Sequence, residues 1–368
     1  MRDAVSDRLE RARAAAADSG LDGLLITPGA ALRYLTGYDA LPLERLTCLV
    51  VPVDDAPTLL VPELEEPAAR TAVEGADAVT ITPWRETEDP VQRAAAMLAG
   101  ARRVGLDDEI WAEKVLRLRA AMPDTEQVRA GPVVSPLRIR KSADEVDSLR
   151  VAGAAIDRVH ARMAEWLRPG RREADVARDL AEAIVQEGHR RVDFVIVASG
   201  PNAASPHHES GERVVRAADP VVVDIGGTTP DGYCSDETRT YAVGEPGDDF
   251  RAAYEALQRA QEAAVRAVAP GVPAAAIDAA ARDVLTEAGL GEYFVHRLGH
   301  GIGVETHEEP YIMAGNSAGV EKDMAFSIEP GFYVPQRHGA RIEDIVLVTD
   351  DGAERLNLRP RDLAVLPA

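Results

Sequence analysis

The chain has 368 residues, 46% hydrophobic and 28% charged, which is enough to build two substantial cores. Its formal net charge of -21 sets up a field that repels polyanions and so disfavours nucleic acid and anionic lipid; neither is expected as a partner. No run of about 18 apolar residues is present to span a bilayer. The opening stretch MRDAVSDRLERARAAAADSG alternates acids and bases on a helical period and lacks a signal peptide's apolar core and cleavage site; a cytoplasmic address is expected. Cys48 and Cys234, each flanked by strand-like sequence, read as buried thiols and not as a disulfide framework or a thiolate zinc cluster.

Residues 1–138 read as a mixed α/β domain. A helix from Asp3 is followed by the apolar runs LDGLLITP, LTCLVVP, PTLLVP and AVTITP as strands, with WAEKVLRLRAAM as a later helix. Its polar residues form no convergent catalytic set, and no phosphate loop follows its strands. A second domain, 139–368, opens at PLRIRKSADEV, where Ser142 and Glu145 have capping-box spacing. The amphipathic run behind that cap passes through Val146, Leu149, Ile156, Val159 and Met163 towards Pro169. READVARDLAEAIVQEG then predicts a helix, DFVIVASG and PVVVDIGG predict strands, two helices fill 248–289, and strands return to the end. Helices grouped among hairpin-like strands point to α+β and not to a doubly wound sheet.

Within PVVVDIGGTTPDGYCSDETRT, Asp224 ends an apolar strand and Asp236 lies across a Gly-rich turn, so a hairpin would bring the two acids together. Either alone would be an ordinary turn or cap residue, and Asp231 is read as one. In FSIEPGFYVPQRHGARIEDIVLV, Glu329 and Glu343 each interrupt a strand-like apolar run. An ionised carboxylate inside such a strand costs several kcal/mol, on the order of the buried-ion penalty, unless a cation or donor compensates it. Arg341, two residues before Glu343 and on the same face of a strand, can neutralise one of these four acids but not all.

HRLGHGIGVETHEEP, residues 296–310, contains His296, His300 and His307 in a segment too rich in glycine for a helix. The Glu of an HExxH zinc helix is missing, and Gly299, Gly301 and Gly303 lack the strand-turn-helix context of a dinucleotide fingerprint. What remains is one imidazole close to four carboxylates. Oxygen-rich ligation with one nitrogen suits Mn, Fe, Co or Zn at a pair of sites.

The ordered set Asp224, Asp236, His300, Glu329, Glu343, in the strings DGYCSDETRT, GHGIG, SIEPGFY and ARIED, resembles the pita-bread metallopeptidases, in particular their branch of Xaa-Pro dipeptidases (prolidases) and aminopeptidase P. The likeness covers about 139–368, with RYLTGY and ERLTCLVVP extending it more loosely into the N-terminal domain. It implies a creatinase/prolidase-like α/β domain over 1–138 and a pita-bread catalytic domain over 139–368. It also implies two divalent ions, manganese ahead of cobalt, zinc or iron. Asp224 would bind one ion, His300 and Glu329 the other, and Asp236 and Glu343 both. By the same likeness a bridging water attacks the scissile carbonyl with Glu329 as base, while His207, His296 and His307 contact substrate and stabilise the oxyanion.

Hydrolysis of Xaa-Pro dipeptides by a homodimer is therefore expected. An Xaa-Pro aminopeptidase acting on longer proline-containing peptides, or a non-catalytic peptide-binding protein on the same fold, is the alternative. Comparable dipeptidases carry a basic residue after the HExP string to meet the proline carboxylate, where this chain has Tyr311; His207, Arg341 or a partner subunit would have to replace it. His160, His189 and His338 read as structural or surface residues, and His208 is left unassigned.

Overall fold

The four apolar runs of the N-terminal half are all strands in the computed structural model, which describes residues 2–73 and 78–368. The chain forms two compact units, Met1–Arg138 and Ile139–Ala368. In the first, strands β1 (Gly23–Ile26), β2 (Cys48–Pro52), β3 (Thr58–Pro62), β4 (Thr80–Trp84), β5 (Arg103–Leu106) and β6 (Glu126–Arg129) make one sheet in the order β4-β3-β2-β1-β5-β6. β1 runs antiparallel to β2 and parallel to β5, so the sheet is mixed, as the alternation of helix and strand predicts. Leu25, Val50, Leu60, Val104 and Leu118 share its core with Trp84, whose indole N–H is satisfied by the Leu46 carbonyl at 2.8 Å.

The second unit begins with the predicted capping box. Ser142 and Glu145 exchange hydrogen bonds at the head of helix Ala143–Ala161, and Val146, Leu149, Ile156 and Val159 are buried on one face. The helix ends earlier than the apolar run suggests. Met163–Glu165 tightens into a 3-10 turn, ahead of Pro169, whose ring disfavours helix at the residue before it. Helix Glu173–Gln186 packs beside it, and the two cover a sheet built on β7 (Arg191–Ser199), β8 (Pro220–Thr228) and β9 (Cys234–Val243).

Alternation along β8 sends Val221, Val223 and Ile225 into that helical core, so Asp224 faces the other way. β8 and β9 are antiparallel, with Asp224 opposite Thr238 and Asp236 opposite Gly226. Asp224 and Asp236 are thus diagonal neighbours on one face of the sheet, as the hairpin reading requires.

Further strands follow: β10 (Gly299–Gly301), β11 (Glu308–Ile312), β12 (Ala325–Ile328), β13 (Gly331–Val334), β14 (His338–Arg341), β15 (Asp344–Val348) and β16 (Ala353–Arg355). They form a five-stranded sheet in the order β11-β10-β12-β15-β16 and a two-stranded ribbon, β13 with β14, while β17 (Ala364–Leu366) joins β9 in the first sheet of this unit. Helices Asp248–Ala267 and Ala274–Glu287 close the second core over Ile312, Phe326, Ile328, Val346 and Val348. Helices segregated against largely antiparallel strands make this unit α+β.

Glu329 and Glu343 stand at breaks between strands and not inside them, contrary to the sequence reading. Ile328 pairs with Asp344 in the large sheet and Gly331 pairs with Arg341 in the ribbon. The hairpin therefore changes sheets at Glu329–Pro330 on one arm and Ile342–Glu343 on the other. Pro330 has no N–H to give a ladder. Breaking both arms at one level turns two carboxylates out of the sheet together.

Candidate metal centre

Asp224, Asp236, His300, Glu329 and Glu343 line one cavity of about 720 Å³ with His207, His296, His307 and Arg341. Every site residue anticipated from sequence is at its wall. Phe194, Ile196 and Met313 supply an apolar flank.

His300 is on β10, where its neighbours must be glycine. A Cβ on Gly299 would strike the Ser327 carbonyl, and one on Gly301 the Glu309 carbonyl. β10 is squeezed between β11 and β12, and side chains on either flank of His300 would force them apart. Its Nδ1 lies 3.1 Å from the Gly301 carbonyl, which fixes the proton there and turns the Nε2 lone pair towards the acids. Nε2 is 3.3 Å from Glu329 and 3.7 Å from Asp236. Ser327 Oγ accepts from the His300 amide at 3.0 Å and donates to Glu329 Oε1 at 3.1 Å.

On the opposite wall Thr238 donates to Glu343 Oε2 at 2.8 Å. Ligating atoms of Asp236, His300 and Glu343 lie within 4.8 Å of one another.

Arg341 pairs with Asp224, 2.5 Å from Nη2, and not with its sequence neighbour Glu343. Its Nε donates to Thr238 at 3.0 Å and its Nη1 to Tyr333 Oη at 2.7 Å. All three nitrogens of this 3% exposed guanidinium have protein partners, because a cation that deep must be satisfied from within. Expected at the substrate, Arg341 instead serves a carboxylate of the cavity.

His296 departs from expectation in the same way: Nδ1 donates to the Arg297 carbonyl at 2.7 Å, leaving Nε2 to accept from Tyr333 Oη at 2.9 Å. Both of its nitrogens are used inside the protein. A chain of hydrogen bonds thus runs His296–Tyr333–Arg341–Asp224. Tyr333 was not singled out from sequence, although it stands in the same SIEPGFY string as Glu329.

Arg297 was also passed over. It lines the cavity with its guanidinium over the Tyr311 ring, 4.3 Å from the centroid. Tyr311, the residue found in place of a basic one, is the platform for a cation contributed by the segment just ahead of β10.

His160 and His189 are structural, as read. His160 is buried against Tyr241 Oη at 2.9 Å, and His189 against Ser235 Oγ at 2.8 Å.

The carboxylates cannot all be charged without help. Burial, then repulsion from their acidic neighbours, pushes Asp236 and Glu343 well above the ordinary carboxylate range. Burial would raise Glu329 too, but the His300 imidazole beside it, with His296 and Arg341, holds it low. Lost solvation above all, with the neighbouring Arg297 cation adding to it, brings the His307 imidazole down to about 4. Asp224 Oδ1 is buried with no hydrogen-bond partner. Four convergent carboxylates, one lone-pair nitrogen and one orphaned oxygen fit bound divalent cations, which would supply the positive charge that Arg341 alone does not.

Comparison with known proteins agrees with this chemistry. Residues 147–350 match the model for metallopeptidase family M24, and residues 8–140 match that for the creatinase/prolidase N-terminal domain. The chain is 54% identical to the probable dipeptidase PepE of Mycobacterium tuberculosis over 361 residues, covering 98% of this chain and 96% of that protein. It is 36% identical to the Xaa-Pro dipeptidase of Lactobacillus helveticus, covering 95% of this chain and 96% of that one. The crystal structure of dipeptidase PepE from Mycobacterium ulcerans superposes with a TM-score of 0.94 at 52% identity, over 100% of this chain and 99% of that one. Both domains are matched in order and nearly end to end, and the acids and imidazole converge as metal-dependent hydrolysis requires: the chain is a metallopeptidase of family M24, with that family's creatinase/prolidase N-terminal domain ahead of its catalytic domain.

Proposed function

We propose that the protein is an Xaa-Pro dipeptidase working with two divalent ions, manganese by the hardness of its oxygen-rich donors. Asp224 would hold one ion, His300 and Glu329 the other, with Asp236 and Glu343 shared. When bound, the ions make a water nucleophilic near neutral pH and polarise the scissile carbonyl. The observation that carries the reading is the convergence of these five side chains on one cavity with more negative charge than Arg341 can balance.

The remaining steps belong to the chain's own side chains. Glu329 takes the water's proton and passes it to the leaving nitrogen. His307, neutral at pH 7, donates to the developing oxyanion, and His207 lies on the same cavity wall to assist it. His296 holds Tyr333, and through it Arg341, in place. An Xaa-Pro bond has no amide hydrogen, so the site needs no acceptor for one. Arg297, presented on Tyr311, is the cation we assign to the free carboxylate of the proline, the group that separates a dipeptide from a longer substrate.

Among the described residues no helix is long and apolar enough to cross a membrane. Cys48 and Cys234 are buried thiols, the state a reducing compartment maintains, and we place the enzyme in the cytoplasm as a homodimer. The test is metal analysis together with a panel of Xaa-Pro dipeptides and Xaa-Pro-Xaa tripeptides. Hydrolysis of the dipeptides by manganese-loaded protein is expected. Preference for the tripeptides would make it an aminopeptidase, and inertness towards both with manganese or cobalt bound would end the peptidase reading.

A further inference from the structure

His207 reaches the cavity from a long connection that follows β7, a segment with little regular structure beyond the 3-10 turn Gly200–Ala204. Such a segment places a side chain reproducibly only if something fixes its backbone. The fixing group is Glu173, in the first turn of helix Glu173–Gln186 and 0% exposed. Its Oε1 accepts from the Ser199 amide at 2.7 Å, from Ser199 Oγ at 2.6 Å and from Asn202 Nδ2 at 3.1 Å. Its Oε2 accepts from His208 Nε2 at 2.8 Å, from Asn202 Nδ2 at 3.0 Å and from the Gly211 amide at 3.5 Å. One buried carboxylate thereby ties Ser199, at the start of the connection, and Asn202, His208 and Gly211, through to its middle, to a helix. At the same anchor, Arg213 donates to Ser199 Oγ and pairs with Asp219 at 2.7 Å.

The adjacent histidines divide the work. His208 turns inward to Glu173, while His207 lines the metal cavity beside Pro206, whose carbonyl lies 3.5 Å from Arg341 Nη1. We infer that His208 and Glu173 are positioning residues for His207, touching neither substrate nor metal and setting where its imidazole meets the reacting carbonyl. This rests on the assignment of His207 to substrate made above. It gives His208, unassigned from sequence, a role distinct from that of its neighbour.

The experiment is a double-mutant cycle on the full-length, metal-loaded enzyme with an Xaa-Pro dipeptide, using H207A, H208A and the combined variant. A misplacement of about 1 Å costs up to about 100-fold, so H208A is expected to lower kcat/KM by roughly 10- to 100-fold. Metal stoichiometry should be unchanged. The loss should vanish in the H207A background, because His208 would act through His207 alone. H208Q, which keeps a donor for Glu173, should restore most of the activity. Equal losses in both backgrounds, or full activity in H208A, would overturn the inference. H207A as active as the parent would remove the substrate role of His207 and the inference with it. Should the parent itself prove inactive on peptides, the crystal structure of metal-free H208A still decides: His207 displaced from the cavity wall supports the positioning role, and His207 unmoved refutes it.

Discussion

Arg297 and Arg341 are both arginines of one cavity, and burial divides their labour. Arg341 is sealed in and spends its donors on Asp224, Thr238 and Tyr333. Arg297 is half-buried on the Tyr311 ring and faces the cavity. Replacing Arg297 by alanine should therefore raise KM for Xaa-Pro dipeptides about 10- to 100-fold, the equivalent of one charge-assisted hydrogen bond. The corresponding prolinamides, which carry no carboxylate, should be hydrolysed as before. Steady-state kinetics on the two substrate series makes the comparison, and an equal loss on both would deny Arg297 its partner. At this scale the sequence was informative about identity and less so about direction. The acids and His300 were legible because each broke a pattern, whereas Arg297 sits inside the quoted HRLGH string with nothing to distinguish it from a surface arginine.

Among the elements, the short strand Gly299–Gly301 carries the tightest steric requirement. Its glycines allow strands on both sides to approach His300, and His300 in turn aims a lone pair at Glu329 and Asp236. Gly299→Ala should cost about 1–3 kcal/mol through overpacking against the Ser327 carbonyl. It should also weaken metal binding, because His300 moves with its backbone. Thermal melts and metal titration of the variant check both effects; unchanged metal affinity would show that β10 tolerates the shift. A glycine-rich, non-helical segment could be read from the sequence. The absence of a dinucleotide fingerprint was legible there too, but that its glycines serve strand approach depends on β11 and β12, which come later in the chain. Likewise Glu329 and Glu343 were expected within strands, since alternating apolar residues do not reveal that a hairpin changes sheets halfway along.

At the scale of the whole molecule, folding gathers like charges that the unfolded chain keeps apart. In the metal-free protein Asp236 and Glu343 keep their protons to higher pH than they would unfolded, because burial and mutual repulsion raise them. The native state then binds more protons than the unfolded one, and stability must fall as pH rises from the ordinary carboxylate range, about 4 to 5, towards the raised values. The metal-free Tm should accordingly decrease over that window. Glu343→Gln should flatten the decrease and raise the metal-free Tm at neutral pH, while losing peptidase activity and most of the stabilisation that manganese gives the parent. At 100-fold excess over Kd one bound ion is worth about 2.7 kcal/mol. Calorimetry with and without chelator, as a function of pH, measures every part of this; a pH-independent metal-free Tm would mean that the acids are compensated by the chain itself.

The sequence by itself determined two domains, their α/β and α+β characters, and the cluster of acids with one imidazole, because hydrophobic period, capping residues and charges set into apolar runs are local signals. Tertiary structure decided how the donors are shared. Arg341 was given to Asp224, Tyr333 to His296, His208 to Glu173, and Arg297 was presented to the cavity on Tyr311. Each of these is a meeting of side chains from separate elements, and a buried hydrogen bond or ion pair depends on distances of a few tenths of an ångström that only the assembled fold sets.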